Sequence, residues 1–261
     1  MQHILVEIQQ DIATVTFNRP EQRNAISYDM WRRLKELAHE LQSDAAVRCV
    51  VFRGAGEEAF SAGADIKDFE AHRFNAESAA RYAEQFEGAL AAVEEMTIPT
   101  VSMIHGFCVG GGLEFASVTD IRIAADGSKF GVPVARLGLT AGWNEIRRLV
   151  AVAGPAAVSY LLLSGRIVDH GTALRMGLVT EVVPAAALEE RTYSLVRQIA
   201  AGAPLAAQDH KTMIGRILRE PGLQSLTAAE KEAQFRVFDS QDFQEGRQAF
   251  IEKRRPVFKG R

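Results

Sequence analysis

Glu114 has the clearest claim to chemistry in this 261-residue chain, because it follows three adjacent glycines, Gly110, Gly111 and Gly112, that close an apolar run. Adjacent glycines cost conformational entropy and need a local reason. Thr100 to His105 reads as a buried strand upstream, and Leu113, Phe115, Ala116 and Val118 read as a buried helix downstream. The glycines then form a strand-to-helix turn. Such a turn leaves backbone N–H groups unpaired at the positive end of a helix, where they suit an anion or a negative charge that exists only during a reaction. Glu114, in the first turn, lies beside whatever occupies that place and is a candidate acid or base. The same residues also read as close backbone packing with Glu114 complementing the helix dipole. The stretch alone leaves both readings open.

The elements that must position this turn follow from periodicity. Residues 4–8 and 12–17 are rich in β-branched side chains and form a hairpin. Ser27 caps a helix carrying Met30, Leu34, Leu37, Ala38 and Leu41, and residues 47–52 are the next strand. A long loop with three glycines follows, ending in Phe60-Ser61-Ala62-Gly63-Ala64-Asp65-Ile66-Lys67; loops of this kind carry function more often than packing. Tyr82, Phe86, Leu90, Val93 and Met96 mark a helix that stops before Pro99, and residues 120–124 form a strand beyond the glycine turn. This alternation predicts an α/β protein with a mainly parallel sheet and ligands at the carboxyl ends of its strands.

Beyond Pro133 the pattern is helical, over residues 143–151, 154–163, 170–176, 186–201, 204–219, 223–238 and 240–253, with one short strand at 178–183. No internal repeat is visible. The expected division is a core over residues 1–195 and a C-terminal helical region over 196–261, the latter packing on a neighbouring chain.

With 47% hydrophobic and 24% charged residues and a formal net charge of −3, the composition is that of an ordinary soluble protein with no basic surface for nucleic acid. Cys49 and Cys108 lie in apolar strand-like runs without neighbours at metal-ligand spacing, so both read as core thiols in a reducing compartment, with no metal site. The N-terminus reads as a strand rather than a signal peptide, and no apolar run reaches the length of a bilayer span. These readings predict a cytoplasmic protein without a nucleic-acid or membrane partner.

Four segments in order, Asn18-Arg19-Pro20 before Asn24-Ala25, Phe60 to Lys67, His105 to Glu114, and Glu245-Gly246 to Pro256, resemble the crotonase (enoyl-CoA hydratase/isomerase) superfamily over nearly the whole chain. The resemblance implies ββα repeats around a core sheet, a C-terminal helical trimerisation region, and assembly as a homotrimer or a dimer of trimers. It also implies an acyl-CoA thioester as substrate, with coenzyme A part of that substrate and no separate cofactor. The thioester oxygen would sit between the amides of Ala64 and Gly111, where fixed donors to enolate charge contribute about 3 to 4 kcal/mol each by analogy with other oxyanion holes. Ala62, Ala64, Asp65, Ile66 and Lys67 match the loop that receives the nucleotide end of CoA. Arg23 matches a phosphate contact, and Phe250 and Lys253 match a tail that reaches CoA from an adjacent subunit. Arg23, Lys67 and Lys253 read equally well as solvated surface cations.

The chain departs from the family pattern at one position. Hydratases of the family hold a water between two glutamates; Glu114 matches the first, and Val134 stands at the second. A valine cannot move a proton, whereas adding water to an enoyl thioester needs a base for the water and an acid for Cα. Asn144 and Glu145 follow a loop that the family places beside the acyl pocket, so either is a candidate helper. Both also read as N-cap and first-turn residues of the helix carrying Ile146, Leu149 and Val150, and that reading is preferred. His105 reads as a packed histidine and Cys108 as pocket wall. The expected function is an enoyl-CoA hydratase-like lyase with Glu114 as acid/base. The alternatives are acyl-CoA decarboxylation or enoyl-CoA isomerisation, and non-catalytic acyl-CoA binding.

Overall fold

The computed structural model describes residues 2–261. Ile4–Gln9 (β1) and Ile12–Phe17 (β2) pair as an antiparallel hairpin, and β2 runs parallel to Cys49–Gly54 (β3). Between them lies Tyr28–Ser43 (α1), capped by the Ser27 hydroxyl, which accepts from the Met30 amide. Met30, Trp31, Leu34, Leu37 and Leu41 form its buried stripe, as the helical period requires.

From β3 onward one unit recurs. A strand of the large sheet turns into a three-residue strand of a second sheet, and a helix follows. Thus β3 leads to Ala59–Ser61 (β4), then Asp68–His72 (α2) and Ala76–Glu94 (α3). Thr100–Ile104 (β5) leads to Phe107–Val109 (β6) and Gly111–Ser117 (α4), and Ile121–Ala125 (β7) leads to Lys129–Gly131 (β8) and Trp143–Ser164 (α5). Val168–Asp169 (β9), His170–Arg175 (α6), Glu181–Val183 (β10) and Leu188–Ala200 (α7) complete the body. The sheets have the orders β1-β2-β3-β5-β7-β10 and β4-β6-β8-β9. The expected ββα repeats are therefore present. They escape a sequence reading because strands of three residues are too short to show a period of two.

The large sheet is covered on both faces. Val50 and Phe52 point to the side packed by Trp31, Leu90 and Phe115, while Cys49 and Val51 point to the side packed by Val196 and Ala200 of α7. The expected division at residue 195 cuts through α7. Leu188, Thr192, Val196 and Ala200 form one buried stripe on the sheet, so the core runs through Ala200. The two helices expected over 143–151 and 154–163 are the two halves of α5, separated by the non-helical Gly154 (φ 75°, ψ 162°) ahead of Pro155. Counted together, the two halves of α5 pass for a bilayer span by length and composition, but the break at Gly154 divides them. Leu149, Val158 and Leu161 pack into the core.

Pro204–Arg219 (α8), Ala228–Arg236 (α9) and Gln241–Glu252 (α10) follow. They are tied to their own core: Lys211 reaches Asp120 at 2.8 Å and the Ile98 carbonyl at 2.9 Å, and Arg48 donates to the Phe258 carbonyl at 2.7 Å.

The turn after β2 is fastened by Asn24, which is fully buried with a left-handed φ of 55°. Its side-chain amide donates to the Ala55 carbonyl (3.0 Å) and the Ala59 carbonyl (2.6 Å), and its oxygen accepts from the Arg19 amide (3.0 Å). Asn24→Ala would leave these three backbone groups unpaired in the interior and place alanine in an unfavourable conformation. The expected loss is about 3 kcal/mol or more, read as a lower midpoint in urea denaturation.

Candidate active site

Two backbone turns meet with no side chain between them. One is the loop after β4 that contains Gly63; the other is the Val109–Gly111 turn between β6 and α4. Gly63 has φ +95°, and a Cβ there would stand 2.8 Å from the Val109 oxygen and 3.0 Å from the Gly111 nitrogen. Gly110 adopts φ 53°, ψ −129°, a region open essentially to glycine alone. A Cβ on Gly112 would lie 2.5 Å from the Ser61 carbonyl oxygen. The glycines thus let two main chains touch, and among the described residues neither the Ala64 amide nor the Gly111 amide donates to a backbone acceptor.

The Gly63 loop is held from behind by residues 23–26. Ala62 donates to the Arg23 carbonyl (2.8 Å), Ile26 to the Gly63 carbonyl (2.8 Å), and Asp65 to the Ile26 carbonyl (3.0 Å). Arg19 and Asp65 form an ion pair at 2.8 Å with both side chains about nine-tenths buried. Asp65 also accepts from the Lys67 amide at 3.1 Å. Its carboxylate is turned inward by these bonds and shapes the loop, and Asp65 does not line the cavity in front of the Ala64 and Gly111 amides.

A cavity of about 480 Å³ opens in front of the two amides, with Ala62, Ala64, Ile66 and Gly111 on its lining together with Glu114 and Val134. The volume suits a small organic ligand. Glu114 is 6% exposed. Burial pushes its carboxyl up to about 7, opposed by the nearby Arg73 guanidinium. Arg73 also lines the cavity and lies over the rings of Phe69 and Tyr82, at 4.6 and 4.8 Å from their centroids. Tyr82 is pinned in turn by the Trp31 indole N–H at 2.9 Å. Tyr82 and Phe86 were legible only as the apolar stripe of α3, and nothing local marked Arg73, since its role depends on where α2 ends.

Glu145 also lines this cavity and is 5% exposed, whereas Asn144 is exposed and outside it. The N-cap of α5 is Gly142, so Asn144 is no cap; Glu145 is a first-turn residue, as the preferred reading has it, but it is buried on the cavity rather than in solvent. Burial raises its carboxyl, and the neighbouring Glu87 and Glu114 raise it further. Val134 forms wall, as a residue packed against the core.

Other expected contacts lie elsewhere. Arg23 bonds Glu58 at 2.7 Å and stacks on Phe107, away from the cavity lining. Lys67, exposed at the start of α2, and the exposed Phe250 and Lys253 of the last helix do not line the cavity either. His105 and Cys108 are buried outside it, and burial raises the thiols of Cys108 and Cys49. Cys108 is thus core rather than the expected pocket wall.

Residues 7–261 match the sequence profile of the family described as enoyl-CoA hydratase/isomerase. The chain belongs to the enoyl-CoA hydratase/isomerase family. It is 36% identical over 259 residues to a probable enoyl-CoA hydratase of Mycobacterium tuberculosis, covering 98% of this chain and 97% of that protein. It is 30% identical over 257 residues to a crotonyl-CoA hydratase of Syntrophomonas wolfei, covering 98% of each. Among solved structures, an enoyl-CoA hydratase/carnithine racemase from Magnetospirillum magneticum superposes with a TM-score of 0.96 at 41% identity, covering all of this chain and 97% of that one.

The raised carboxyl of this family member has a thermodynamic sign. Glu114 holds its proton to about pH 7 in the folded chain against a usual 4.5, so its contribution to stability is complete below the unfolded value and is lost as pH rises through 7. Glu114→Gln, neutral throughout, should therefore gain stability relative to the parent on going from pH 5 to pH 9, up to about 3 kcal/mol. Thermal melts of the two proteins at both pH values check this.

Proposed function

We infer that this protein adds water to a 2-enoyl-CoA thioester. The observation that carries the reading is the pair of free amides, Ala64 and Gly111, facing one cavity with a buried glutamate whose carboxyl titrates near neutrality. Attack of water on Cβ moves charge to the thioester oxygen. Two fixed N–H donors stabilise that charge as an oxyanion hole without reorganising. Glu114, ionised with help from Arg73, takes the proton of the attacking water. The Ala62–Lys67 loop, whose Lys67 ammonium is free of ion pairs among those described, borders the cavity on the side proposed for CoA.

The names of the relatives, a probable enoyl-CoA hydratase and a crotonyl-CoA hydratase, support the same substrate class. Phe250, 86% exposed on α10, and Leu163, 84% exposed on α5, are large apolar groups that a neighbouring copy would cover. This supports a homotrimer or a dimer of trimers in which Phe250 and Lys253 serve the adjacent subunit. Val134 on the cavity wall favours a second reading, enoyl-CoA isomerisation, in which one carboxylate carries a proton between carbons.

Crotonyl-CoA separates these readings. Hydration bleaches the ultraviolet absorbance of its conjugated thioester, isomerisation of a 3-enoyl-CoA creates that absorbance, and binding alone changes neither. We expect bleaching by the parent protein. Glu114→Gln should lower kcat at least ~100-fold with little change in CoA affinity. Gly111→Pro, which removes the amide and sets a Cβ 3.3 Å from the Ala64 nitrogen and the Trp31 ring, should lower it by at least a similar factor. A parent protein that binds crotonyl-CoA without bleaching it overturns the hydratase reading.

A further inference from the structure

Val134 leaves the cavity without a second acid at the expected place, yet a second carboxyl is there. Glu145 enters from the first turn of α5, eleven positions further along the chain. A glutamate at the start of a helix ordinarily sits in solvent or folds back on the N-terminal amides. Glu145 does neither: the residue is more than nine-tenths buried, its Oε2 is sealed from solvent and takes no bond from an N–H or hydroxyl donor, and its neighbour is the Glu87 carboxylate, with which only a protonated Glu145 can share a hydrogen bond. Buried polar atoms without partners are uncommon and call for an explanation.

The backbone makes room for this carboxyl. A Cβ on Gly142 would stand 2.2 Å from Glu145 Oε2, so any other residue at that position would displace it. The surrounding charges divide the two glutamates of the cavity by role. Glu87, on α3, accepts from Arg148 Nη1 at 3.1 Å. Burial raises both carboxyls, and Glu87 favours the neutral form of each; Glu114 adds to this at Glu145, whereas the cations Arg73, beyond α2, and Arg148 favour the ionised form of Glu114. Arg148, one turn of the same helix further on, is itself shared between Glu87 and Glu94. Two titratable groups whose surroundings pull them apart are the usual arrangement for an acid and a base.

We propose that Glu145 is the second proton-transferring carboxyl of this site, standing in for the acid that Val134 lacks and exchanging its proton with Cα of the acyl thioester. This rests on the hydratase reading above. As the water oxygen bonds to Cβ, the water O–H bond breaks and its proton goes to the Glu114 carboxylate. The electron pair of the Cα–Cβ double bond moves through the enolate held at Ala64 and Gly111. It then returns to form a C–H bond with the Glu145 proton at Cα. One water is added, Glu114 ends protonated and Glu145 ionised, and one proton passing from the first to the second restores the pair.

The test uses two reactions, so that the proposal and the hydratase reading fail separately. One is crotonyl-CoA hydration; the other is exchange of the Cα hydrogens of butyryl-CoA with deuterated water, followed by mass, which needs the Cα proton carrier and the two amides but no attack by water. Glu145→Gln keeps the shape of the side chain. It should bind butyryl-CoA within about twofold of the parent, lower kcat for hydration at least ~100-fold, slow the exchange by a similar factor, and remove the alkaline limb of the pH–rate profile. Gly142→Ala, which keeps the carboxyl but crowds Oε2, should lower both rates at least ~10-fold, and it carries the test if Glu145→Gln does not fold. Exchange by the parent without hydration, abolished in Glu145→Gln, overturns the hydratase reading and supports the role of Glu145. Hydration and exchange at parental rates in Glu145→Gln, with an unchanged pH profile, overturn the proposal, as does a parent protein that shows neither reaction.

Discussion

The site depends on one contact, the direct approach of two main chains at Gly63 and at Gly110 to Gly112. Their amides face one cavity only because no Cβ stands between the turns; a Cβ at Gly63 alone would come within 3.0 Å of the Gly111 nitrogen. Contact between bare backbones supplies little stabilisation, since glycines bury almost no apolar surface and lose the most conformational freedom on folding. Residues outside the contact hold it. Asn24 and the Arg19–Asp65 pair fix one turn from behind, and Trp31 packs beside Gly111 while its indole secures Tyr82 on the cavity wall. The polar residues of the Asn18–Ala25 segment therefore act as structural fasteners, although their types alone would permit a ligand role.

Around this rigid backbone the electrostatics run against stability. Glu114 and Glu145 are buried carboxyls, and burial raises both. Neither is neutralised by a direct ion pair among those described, in contrast to Glu94, which takes bonds from Arg147 at 2.9 Å and Arg148 at 2.8 Å and is lowered by them. A paired glutamate is inert near neutral pH, whereas an unpaired buried one changes its protonation there. Which carboxyls of α3, α4 and α5 are paired follows from where Arg147 and Arg148 reach.

The two-sheet architecture explains how such a site is assembled from distant pieces. Each recurring unit sends a short strand into the second sheet, and β4, β6 and β8 lie side by side there. The turns that leave β4 and β6 are thereby brought together although nearly fifty residues separate them in the chain. Gly131, at the end of β8, accepts from the Gly110 amide at 2.8 Å and so steadies the glycine turn from the third unit. Val134 and Glu145 come from the segments that follow.

Local information was enough for the long elements and for the reactive turn. The apolar stripe of α1 after Ser27, the β-branched runs of β2 and β3, and the run of three glycines before Glu114 each carry their signal within a few residues, because helical period, strand composition and backbone permissiveness are local properties. The ββα repeat was not legible, since strands of three residues have no measurable period. The end of the core at Ala200 was not legible either, because the stripe on α7 reads the same whether a sheet or a partner covers it. The pairing of Asp65 was not legible, because Arg19 is remote from it in sequence. Glu145 is the sharpest case. In the sequence it is a helix-start acid like any other; in the structure the missing Cβ of Gly142 leaves room for its carboxyl, and it lines the cavity with Glu114. Burial and pairing are properties of all the neighbours at once, so only the tertiary structure decides which acidic side chains stay in water and which face a substrate.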